Sequence, residues 1–571
     1  MLSLLLFQNP MKHLETDVVP NHVYSQSDLW KFGISGDLPI LLVKIRDINE
    51  KYILKDVLKA YEFFRSKNIK IELVILNREI NSYEHYLENE IDGEIQNRQL
   101  LYLKNIFGGI FTINENELEK EDLELLEFRA NLILDASLGN VETQLKDLEE
   151  EFLSRRQQNS VRNPLLPLTN DNIETLNEDY ISLKYYNEYG GFTEDGLEYK
   201  FKVSDNQKLP TVWSLILANP EFGTLVTQNL GGFTWYKNSR LNRITAWNNT
   251  PSRDIPSEIV YLENLDNGKK WSLSENISNI QEYHITYGFG YVKLKTLKDE
   301  ILHELDTFVP LEDSVKINIL RLKNTSNEQK NLKIVYYIKP VLGEDEIKTS
   351  GFIKVEKKGN FVIATNMYKQ EMKDEEVFAT TNKKINSFTG DKNLFLGNMD
   401  LKNPQKCLGN TSGIYKQSCI AIEINVTLEA YEAQDILLNL GIKKENEPLN
   451  EDYRDTKKCE DLLKNTKKYW YELLNKVHVN TPVESMNIML NGWSAYQSIV
   501  SRLWAKSGYY QSGGAIGFRD QLQDTLGVKY IDASLMKKQI LTSAKHQFIE
   551  GDVEHWWHEE TRKRNKNKVF G

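Results

Sequence analysis

The sequence of 571 residues predicts a multidomain protein with an α/β segment, a large antiparallel β-sandwich and a helical C-terminal region. Two strand-like apolar runs flank an amphipathic helix near the N-terminus, which indicates the α/β class. Short strand-like runs separated by turn residues then continue from about residue 180 to residue 445, as in a β-sandwich. Helical spacing of apolar residues returns after Asp452.

The predicted α/β segment covers residues 1–160. Leu38–Ile45 and Ile69–Leu76 have the continuous apolar character of buried strands, and Lys55–Lys67 between them carries apolar residues at helical spacing. Strand, helix and strand in this order predict a βαβ-type unit. The acidic stretch Glu117–Arg156 predicts a further helix.

The β-sandwich is predicted over residues 170–445, after a connector at Asn163–Leu168. Its clearest strand patterns are Tyr199–Val203, Val315–Leu322 and Leu332–Ile338, which Gly, Asn and Asp turns separate. A region of this length fits one oversized sandwich better than a barrel.

The helical part begins with a predicted linker over residues 446–484, whose apolar stripe runs through Asp452–Val477. The segment 485–571 follows. It carries three further helical patterns, at Ser485–Lys506, Phe518–Val528 and Asp532–Phe548.

Charge and cysteine content exclude several classes of function. The formal charge of −11 argues against a general nucleic-acid binder, which needs an excess of Lys and Arg to neutralise phosphates. Three cysteines without a CxxC pair exclude a disulfide scaffold and a cysteine zinc site, and fit a cytoplasmic protein. The apolar start Met1–Phe7 is too short for a membrane span and lacks the flanks of a secretory signal.

Aromatic residues are abundant, at 11% of the chain. Sugars present apolar C–H faces that pack on aromatic rings, so this excess suits a glycan-binding protein. Sheet cores also favour Tyr, Phe and Trp, and composition alone leaves both interpretations open.

The most informative segment is the glycine-rich stretch Tyr509–Asp524. Gly513, Gly514 and Gly517 predict a turn whose backbone can approach a ligand closely. A helix then begins, and Asp520 and Asp524 lie four residues apart on one face, beside the row of Arg519 and Gln523. Such groups at a helix start can bind the hydroxyls of one sugar ring, or form a structural cap and ion pair.

A second cluster is Gly551-Asp-Val-Glu-His-Trp-Trp-His558. Two histidines near acidic residues invite a metal site, but no third ligand is fixed by spacing, and no metal is expected. Trp556 and His558 favour an aromatic sugar platform with polar groups, with a partly buried helix end as the alternative.

A third cluster lies in the predicted sandwich, at Gly231–Trp247. Asn238 and Arg240 stand there among further Asn, Arg and Trp residues. Such mixtures bind glycans, and they also hold long loops together. His284 and His303 lie in strand-like surroundings and are expected to be structural or exposed.

Several long motifs of this chain resemble glycoside hydrolase family 94, called glycosyltransferase family 36 in older naming, which contains cellobiose and chitobiose phosphorylases. These motifs are Asn219-Pro-Glu-Phe-Gly, Gly231-Gly-Phe-Thr-Trp, Asn238-Ser-Arg-Leu-Asn-Arg, Gly288-Phe-Gly-Tyr and Gly513–Asp524. Trp30–Ile40 resembles the segment that precedes the last such module in cyclic β-1,2-glucan synthases. The similarity is therefore greatest to the C-terminal region of those synthases.

The resemblance implies a β-sandwich, a helical linker and an (α/α)₆ barrel. It implies that Arg519 and Asp524 hold the sugar whose bond is broken, with Asp520 and Gln523 close by, and that Trp556–His558 borders the site. The implied reaction is inverting phosphorolysis or glycosyl transfer on a β-glucan oligosaccharide. Inorganic phosphate is then the co-substrate, and no cofactor is expected.

One departure from the family is decisive. The family's catalytic acid lies in a Gly-Asp-Trp-Asn-like motif downstream of the His-Trp-Trp-His-like segment, and this sequence contains no such motif. The general acid is therefore expected beyond Gly571, and no catalytic residue is assigned within the chain.

The chain is accordingly expected to be a fragment with a truncated barrel that is inactive alone. The resemblance also allows for a parent synthase that is bound to a membrane. Unpartnered helix faces at Tyr496, Leu503 and Trp504 predict association with a companion fragment or as a homodimer.

Two other functions remain open at this point. The aromatic and amide-rich loops of the sandwich also fit a non-catalytic glycan-binding or interaction module. A glucoamylase-like hydrolase on the same barrel requires a second catalytic carboxylate, and the sequence offers no persuasive pair.

Overall fold

The structure is a computed structural model. It describes residues 1–7, 26–79, 86–148, 178–204, 207–250, 254–277, 282–368, 375–397, 408–415, 417–444 and 446–559, with residues 176, 401, 402, 404, 564 and 565. The predicted connector over residues 163–168 lies outside these ranges. The expectation about the general acid is not tested by the described residues and stays a prediction.

The N-terminal region is a four-stranded parallel sheet with strand order β3-β2-β1-β4. Its elements are α1 (Leu2–Phe7), β1 (Ile40–Ile45), α2 (Tyr52–Ser66), β2 (Glu72–Asn77), α3 (Tyr86–Asn97), β3 (Ile110–Asn114), α4 (Lys120–Arg129) and β4 (Leu132–Asp135), with 3-10 turns at Gln26–Phe32, Ile48–Glu50, Leu101–Leu103, Glu115–Glu117 and Ala136–Leu138. The predicted strand, helix and strand unit corresponds to β1, α2 and β2.

Both faces of this sheet are covered, which explains the continuous apolar runs of its strands. Successive side chains of a strand point to opposite faces. Leu41 and Val43 pack towards α2 and α3, whereas Ile40 and Leu42 pack towards α4. The βαβ topology therefore buries every other residue on each side.

The predicted single helix at Glu117–Arg156 is wrong. Helix α4 ends at Arg129, and β4 follows at Leu132–Asp135. Leu132 and Leu134 are fully buried, and β4 pairs in parallel with the free edge of β1. Edge pairing and burial therefore prevail over the helical propensity of the flanking acidic residues. A helix returns over residues 141–148.

The central region is a large antiparallel β-sandwich, as predicted. Its strands are β5 (Gly190–Phe192), β6 (Glu198–Ser204), β7 (Ser214–Ala218), β8 (Phe222–Thr227), β9 (Gly232–Tyr236), β10 (Arg243–Thr245), β11 (Glu258–Asn264), β12 (Lys270–Ser272), β13 (Glu282–Gly288), β14 (Tyr291–Lys298), β15 (Ile301–Phe308), β16 (Val315–Asn324), β17 (Lys330–Ile338), β18 (Pro340–Gly343), β19 (Ile353–Lys358), β20 (Phe361–Asn366), β21 (Glu376–Thr380), β22 (Ser387–Asp391), β23 (Gly413–Ile414), β24 (Ser418–Leu428), β25 (Ala433–Leu437) and β26 (Asn439–Lys443), with short helices α5 (Glu346–Thr349) and α6 (Lys392–Leu396) and a 3-10 turn at Glu275–Ile277.

These strands form three sheets that share one hydrophobic core. The largest has the order β23-β19-β20-β21-β26-β16-β15-β14-β13-β6-β5, with β25 also paired to β16. The others have the orders β18-β10-β9-β8-β7 and β12-β11-β17-β24-β22. Alternation of buried and partly buried residues along β6 and β15 matches a sheet with one face on the core.

The C-terminal region is mainly helical. Its elements are a 3-10 turn (Glu451–Arg454), α7 (Thr456–Leu474), the composite helix α8 made of Glu484–Ile488, the π-helical turn Met489–Trp493, Ser494–Gln497 and the π-helical turn Ser498–Ala505, then β27 (Ile516–Gly517), α9 (Phe518–Asp524), a 3-10 turn (Thr525–Gly527), α10 (Ala533–Ala544), β28 (Trp556–Trp557) and β29 (Arg564–Asn565). Asp455 caps α7 through a hydrogen bond from the Lys458 amide.

Aromatic side chains of α7 and α8 dock this region on the sandwich at the turn between β13 and β14. The Gly290 amide donates to the Tyr496 hydroxyl over 3.1 Å, and a Cβ at Gly290 would lie 2.5 Å from the Trp470 ring. The Phe289 ring packs on Trp493, with centroids 4.8 Å apart. Gly290 also has a φ of +84°, so this turn requires glycine both for its backbone conformation and for the space it leaves.

The predicted unpartnered faces at Tyr496, Leu503 and Trp504 are wrong for these residues. Tyr496 and Trp504 are buried against the sandwich core, and Leu503 is partly buried against it, because α8 packs on the sheets. Large exposed apolar side chains of the helical region lie elsewhere, at Tyr471, Val483, Met486, Met489, Leu490, Tyr510, Leu526, Tyr530, Ile540, Leu541 and Ile549. Association with a companion or a second copy stays a prediction.

The α/β region contacts the sandwich through a buried arginine. Arg129 donates from Nη2 to the Tyr368 hydroxyl over 2.7 Å, and its guanidinium carbon lies 4.0 Å from the Tyr368 ring centroid. The Tyr368 hydroxyl in turn donates to the Gly36 carbonyl over 2.9 Å. Hydrogen bonding and cation–π contact thus join the two regions.

In the described ranges, no helix has the length and apolar character needed to cross a membrane.

His303, on β15, is structural as expected and gives the sandwich a pH dependence. It is fully buried, and its Nε2 accepts a hydrogen bond from Trp271 Nε1 over 3.1 Å. Burial disfavours the imidazolium and lowers the pKa of His303 to about 4, from 6.5. An unfolded chain therefore binds a proton at this residue between those pH values that the folded chain does not.

We expect His303→Gln to reduce the loss of stability in acid. The contribution of neutral His303 is complete above pH 6.5 and is lost as the pH falls towards 4. Between pH 7.5 and 4 the wild-type unfolding free energy should fall by about 3 kcal/mol more than that of the variant. Urea unfolding at both pH values measures this difference, and equal losses in the two proteins would contradict it.

Candidate functional site

A cleft of about 510 Å³ opens where the helical region meets the sandwich. Its wall is built from the end of α8, the glycine-rich loop, the start of α9 and β28. The lining residues are Ser501, Arg502, Lys506, Ser507, Gly508, Tyr509, Tyr510, Gln511, Gly513, Ala515, Gly517, Asp520, Gln521, His555 and Trp556. Rings, hydroxyls, amides and charged groups together are typical of a site for a polar ligand with apolar faces.

The loop is set by the way α8 ends. Lys506 adopts a left-handed conformation with φ of +50°, which turns the chain out of the helix. The Gly514 amide then donates to the Lys506 carbonyl over 2.9 Å and closes the loop. Gly514 has a φ of +62°, and a Cβ there would lie 2.2 Å from Asn238 Oδ1. Glycine is therefore required at 514 by both conformation and space.

Helix α9 places Asp520 in the cleft. The first turn of α9 contains Asp520, where a carboxylate is favoured by the exposed amides of a helix N-terminus. The Gln521 side chain is buried and accepts from the Gly517 amide over 2.6 Å. Arg519 is 88% exposed, and Gln523 is also exposed. Four residues of this segment were predicted to bind the sugar, namely Arg519, Asp520, Gln523 and Asp524. Of these, Asp520 alone is among the lining residues.

Asp524 forms an ion pair with Arg502. Its Oδ2 lies 3.0 Å from Arg502 Nε and 2.9 Å from Arg502 Nη2. Arg502 belongs to the cleft wall, so this pair ties α9 to the end of α8. Asp524 therefore shapes the cleft through Arg502, while its direct role in sugar binding stays a prediction.

Trp556 enters the cleft because β28 pairs with β27, where Gly517 lies opposite Trp556. The next residue, Trp557, points the other way, is fully buried and stacks on His546 at 3.8 Å. The alternation of a two-residue strand thus separates one ring at the cleft from one core ring. The helix-end interpretation of this segment is wrong, since residues 556 and 557 are extended.

Asn238 and His558 meet behind the glycine-rich loop. Asn238 Nδ2 donates to the Gly514 carbonyl over 3.1 Å and lies 3.0 Å from His558 Nδ1. Asn238 Oδ1 accepts the amides of Arg240 and Leu241. Both Asn238 and His558 are buried, and the hydrogen bonds of Asn238 to Gly514 and His558 join the sandwich to the loop.

Arg240 lies outside the cleft lining. Its side chain is half exposed, and Nε lies 3.4 Å from Glu344 Oε1. Two of the eight predicted binding residues, Asp520 and Trp556, therefore line the cleft.

Within the described ranges no cluster of three or more His, Cys, Asp or Glu residues is arranged to hold a metal.

Sequence reasoning missed several lining residues. Tyr510 and Gln511 lie three and two residues before Gly513, and their position beside a turn that can approach a ligand is a usable signal. Arg502 lies in the π-helical end of α8 and Lys506 follows in a left-handed conformation, so helical spacing gave no signal that would bring both to the cleft. Gln521 was missed because its neighbours in the helix looked more polar and exposed.

We expect Gly514→Ala to be much more damaging than Gly513→Ala. Alanine at 514 meets Asn238 and a left-handed backbone, whereas a Cβ at 513 has the Lys506 carbonyl at 3.3 Å as its nearest atom. The unfolding free energy should fall by about 1–3 kcal/mol for the first and by under about 1 kcal/mol for the second. Denaturant unfolding measures both. Equal losses would show that the Gly514–Asn238 contact is not formed.

Comparison with known proteins identifies the two C-terminal regions. Residues 197–458 match the glycosyl hydrolase 94 supersandwich domain, and residues 469–570 match the catalytic domain of the glycosyl hydrolase 94 superfamily. The first match covers the sandwich from β6 to β26, and the second contains every residue that lines the cleft.

Curated relatives agree with these matches. The cyclic beta-(1,2)-glucan synthase NdvB of Rhizobium meliloti is 28% identical over 574 residues, which cover 96% of this chain and 20% of NdvB. The N,N'-diacetylchitobiose phosphorylase of Vibrio furnissii is 24% identical over 64% of this chain and 47% of its own length. The solabiose phosphorylase of Paenibacillus borealis is 24% identical over 65% of this chain and 49% of its own.

The chain thus spans a fifth of NdvB and about half the length of the phosphorylases. Among solved structures, a bacterial glucoamylase complexed with acarbose covers 63% of this chain and 55% of its own, at 10% identity and a TM-score of 0.38. With matches to both its supersandwich and catalytic domains, the chain belongs to glycoside hydrolase family 94.

Proposed function

We propose that this chain is the sandwich and sugar-cleft part of an enzyme that acts on β-1,2-glucan by inverting phosphorolysis or glycosyl transfer. The observation that carries the proposal is the cleft itself, in which Asp520, Trp556 and the glycine-rich loop converge at the junction with the sandwich. The β-1,2 linkage is supported by the alignment with NdvB, which extends over nearly the whole chain, whereas the phosphorylase alignments cover about two thirds of it.

The lining suits a glucosyl unit. Trp556 and Tyr510 offer ring faces for the C–H surfaces of a sugar, and Asp520 and Gln511 offer acceptors and donors for its hydroxyls. A carboxylate that accepts from a sugar hydroxyl forms the stronger, charge-assisted kind of hydrogen bond. Asp520 is therefore the side chain we assign the largest single share of sugar binding.

The proposed reaction needs one protein acid and phosphate. A phosphate oxygen bonds to the anomeric carbon, the glycosidic bond breaks, and an acid protonates the departing oxygen. Phosphate takes the place of the water that a second carboxylate activates in inverting hydrolases. Arg502 and Lys506 are the cations of the described cleft wall, and cationic donors are what a bound phosphate requires.

We infer that the 571 residues alone bind glucan without turning it over. Among the described lining residues, Asp520 alone carries a carboxyl group, and this group is assigned to binding. No Gly-Asp-Trp-Asn sequence occurs in the chain to supply an acid, which supports the inferred lack of turnover. The same shortage of carboxylates disfavours a glucoamylase-like hydrolase, which uses a pair.

Purified chain incubated with β-1,2-glucan and inorganic phosphate should release no glucose 1-phosphate above a protein-free control. A coupled phosphoglucomutase assay detects the product at low micromolar concentration. Steady formation of glucose 1-phosphate that scales with protein concentration would contradict the inferred inactivity.

Asp520→Asn should weaken binding of a β-1,2-gluco-oligosaccharide by about tenfold or more, because it removes a charged acceptor. Isothermal titration calorimetry measures the dissociation constant. Asp461→Asn is the matched control, since Asp461 is an exposed carboxylate on α7, outside the cleft lining. Equal affinities of the wild type and Asp520→Asn would remove Asp520 from the sugar site, and absence of wild-type binding would contradict the proposed function.

A further inference from the structure

Side chains of the sandwich donate hydrogen bonds to four backbone carbonyls of the cleft loop, which we define as residues 505–514. These are Ser239 Oγ to Ala505 (2.7 Å), Trp247 Nε1 to Tyr509 (3.3 Å), Asn249 Nδ2 to Tyr510 (3.2 Å) and Asn238 Nδ2 to Gly514 (3.1 Å). All four donors come from the chain segment 238–249, which follows β9. The sandwich thus holds the loop along its whole length.

Tyr510 carries the exposed ring of this loop. Both its backbone carbonyl and its side-chain hydroxyl are hydrogen-bonded to the sandwich. Its backbone carbonyl accepts from Asn249, and its hydroxyl lies 3.1 Å from Thr211 Oγ1 of the sandwich. The Tyr510 ring also stands edge-on to Tyr509, at 5.1 Å and 90°. The side chain is nevertheless 59% exposed and lines the cleft.

Tyr509, by contrast, faces the interior. It is buried, and its hydroxyl lies 3.4 Å from Oδ1 of the buried Asp254 of the sandwich. Both tyrosines line the cleft, but the Tyr509 side chain is buried against the sandwich, whereas the Tyr510 side chain is exposed. The anchor at Tyr509 limits the movement of the backbone that carries Tyr510.

We propose that Thr211 and Asn249 are positioning residues that hold the Tyr510 ring as an aromatic wall for a glucosyl unit in the same cleft as Trp556. An exposed tyrosine without such bonds samples several rotamers, and binding must then restrict it. A tyrosine whose hydroxyl and backbone carbonyl are already hydrogen-bonded avoids much of that entropic cost, so the sandwich contributes affinity without touching the sugar. This inference rests on the proposed function, because it names the sandwich as a determinant of the same glucan site.

The test compares full-length variants that differ by single groups. Thr211→Val removes the hydroxyl at nearly constant shape, and Thr211→Ser keeps it. Asn249→Ala removes the donor to Tyr510, and Asn248→Ala is its matched control, since the Asn248 side chain accepts from the Thr250 amide within its own loop. Tyr510→Ala removes the ring itself. Thermal unfolding checks that each variant is folded.

Two readouts are taken on each protein. Calorimetric titration with a β-1,2-gluco-oligosaccharide should give dissociation constants about 2- to 10-fold higher for Thr211→Val and for Asn249→Ala, as expected for loss of one hydrogen bond. Tyr510→Ala should weaken binding at least as much. Thr211→Ser and Asn248→Ala should bind as the wild type does. Amide hydrogen exchange of residues 506–514 should be faster in Thr211→Val and Asn249→Ala.

The outcomes separate this inference from the proposed function. Unchanged glucan affinity in Thr211→Val and Asn249→Ala, with normal wild-type binding, would overturn the inference and leave the function standing. Faster exchange without weaker binding would also overturn it, since the loop would be held for structural reasons alone. A wild-type chain that binds no glucan would contradict the proposed function, and with it the ligand assigned here.

Discussion

Docking of the helical region on the sandwich depends on one turn in which only glycine fits. Gly290 leaves room for the Trp470 ring and donates its amide to Tyr496, and the Tyr496 hydroxyl in turn donates to the Ile216 carbonyl of β7 over 2.7 Å. Helix α8 is thereby bonded to two different sheets. Since the glycine-rich loop leaves directly from the end of α8, this contact determines where the cleft opens. The Gly288-Phe-Gly-Tyr motif, which carries part of the family resemblance, thus has a structural role here.

The site is consequently shared between two regions that family comparison treats as separate domains. The catalytic-domain match supplies the lining residues, and the sandwich supplies the bonds that shape them. Asn238 illustrates the division. Its side-chain nitrogen bonds to the Gly514 carbonyl and to His558, and its side-chain oxygen accepts from the Arg240 amide. A buried amide of this kind is costly to remove, since its partners would be left unsatisfied. Carbohydrate specificity in this chain is therefore expected to respond to sandwich residues that never contact sugar.

Local pattern was sufficient for the fold class, because strand alternation, helical spacing and glycine turns are properties of neighbouring residues. Local pattern failed where the conformation or burial of a residue depends on a partner that is distant along the chain. Leu132–Asp135 became a strand since the edge of β1 was free, and Tyr496 was covered since the sandwich lay beside it. At the site, the glycine-rich segment and Trp556 were found from composition and turn chemistry. Arg502, Thr211 and Asn249 were not, because their roles depend on contacts with residues 22, 299 and 261 positions away.

The central claim is that β-1,2-glucan binds at the junction between the sandwich and the helical region. A crystal structure of the chain soaked with a β-1,2-gluco-oligosaccharide tests it most directly. The account predicts a glucosyl ring against Tyr510 and Trp556, with a hydroxyl within hydrogen-bond distance of Asp520. Oligosaccharide bound elsewhere on the sandwich, with this cleft empty, would contradict the claim and favour a non-catalytic glycan-binding module.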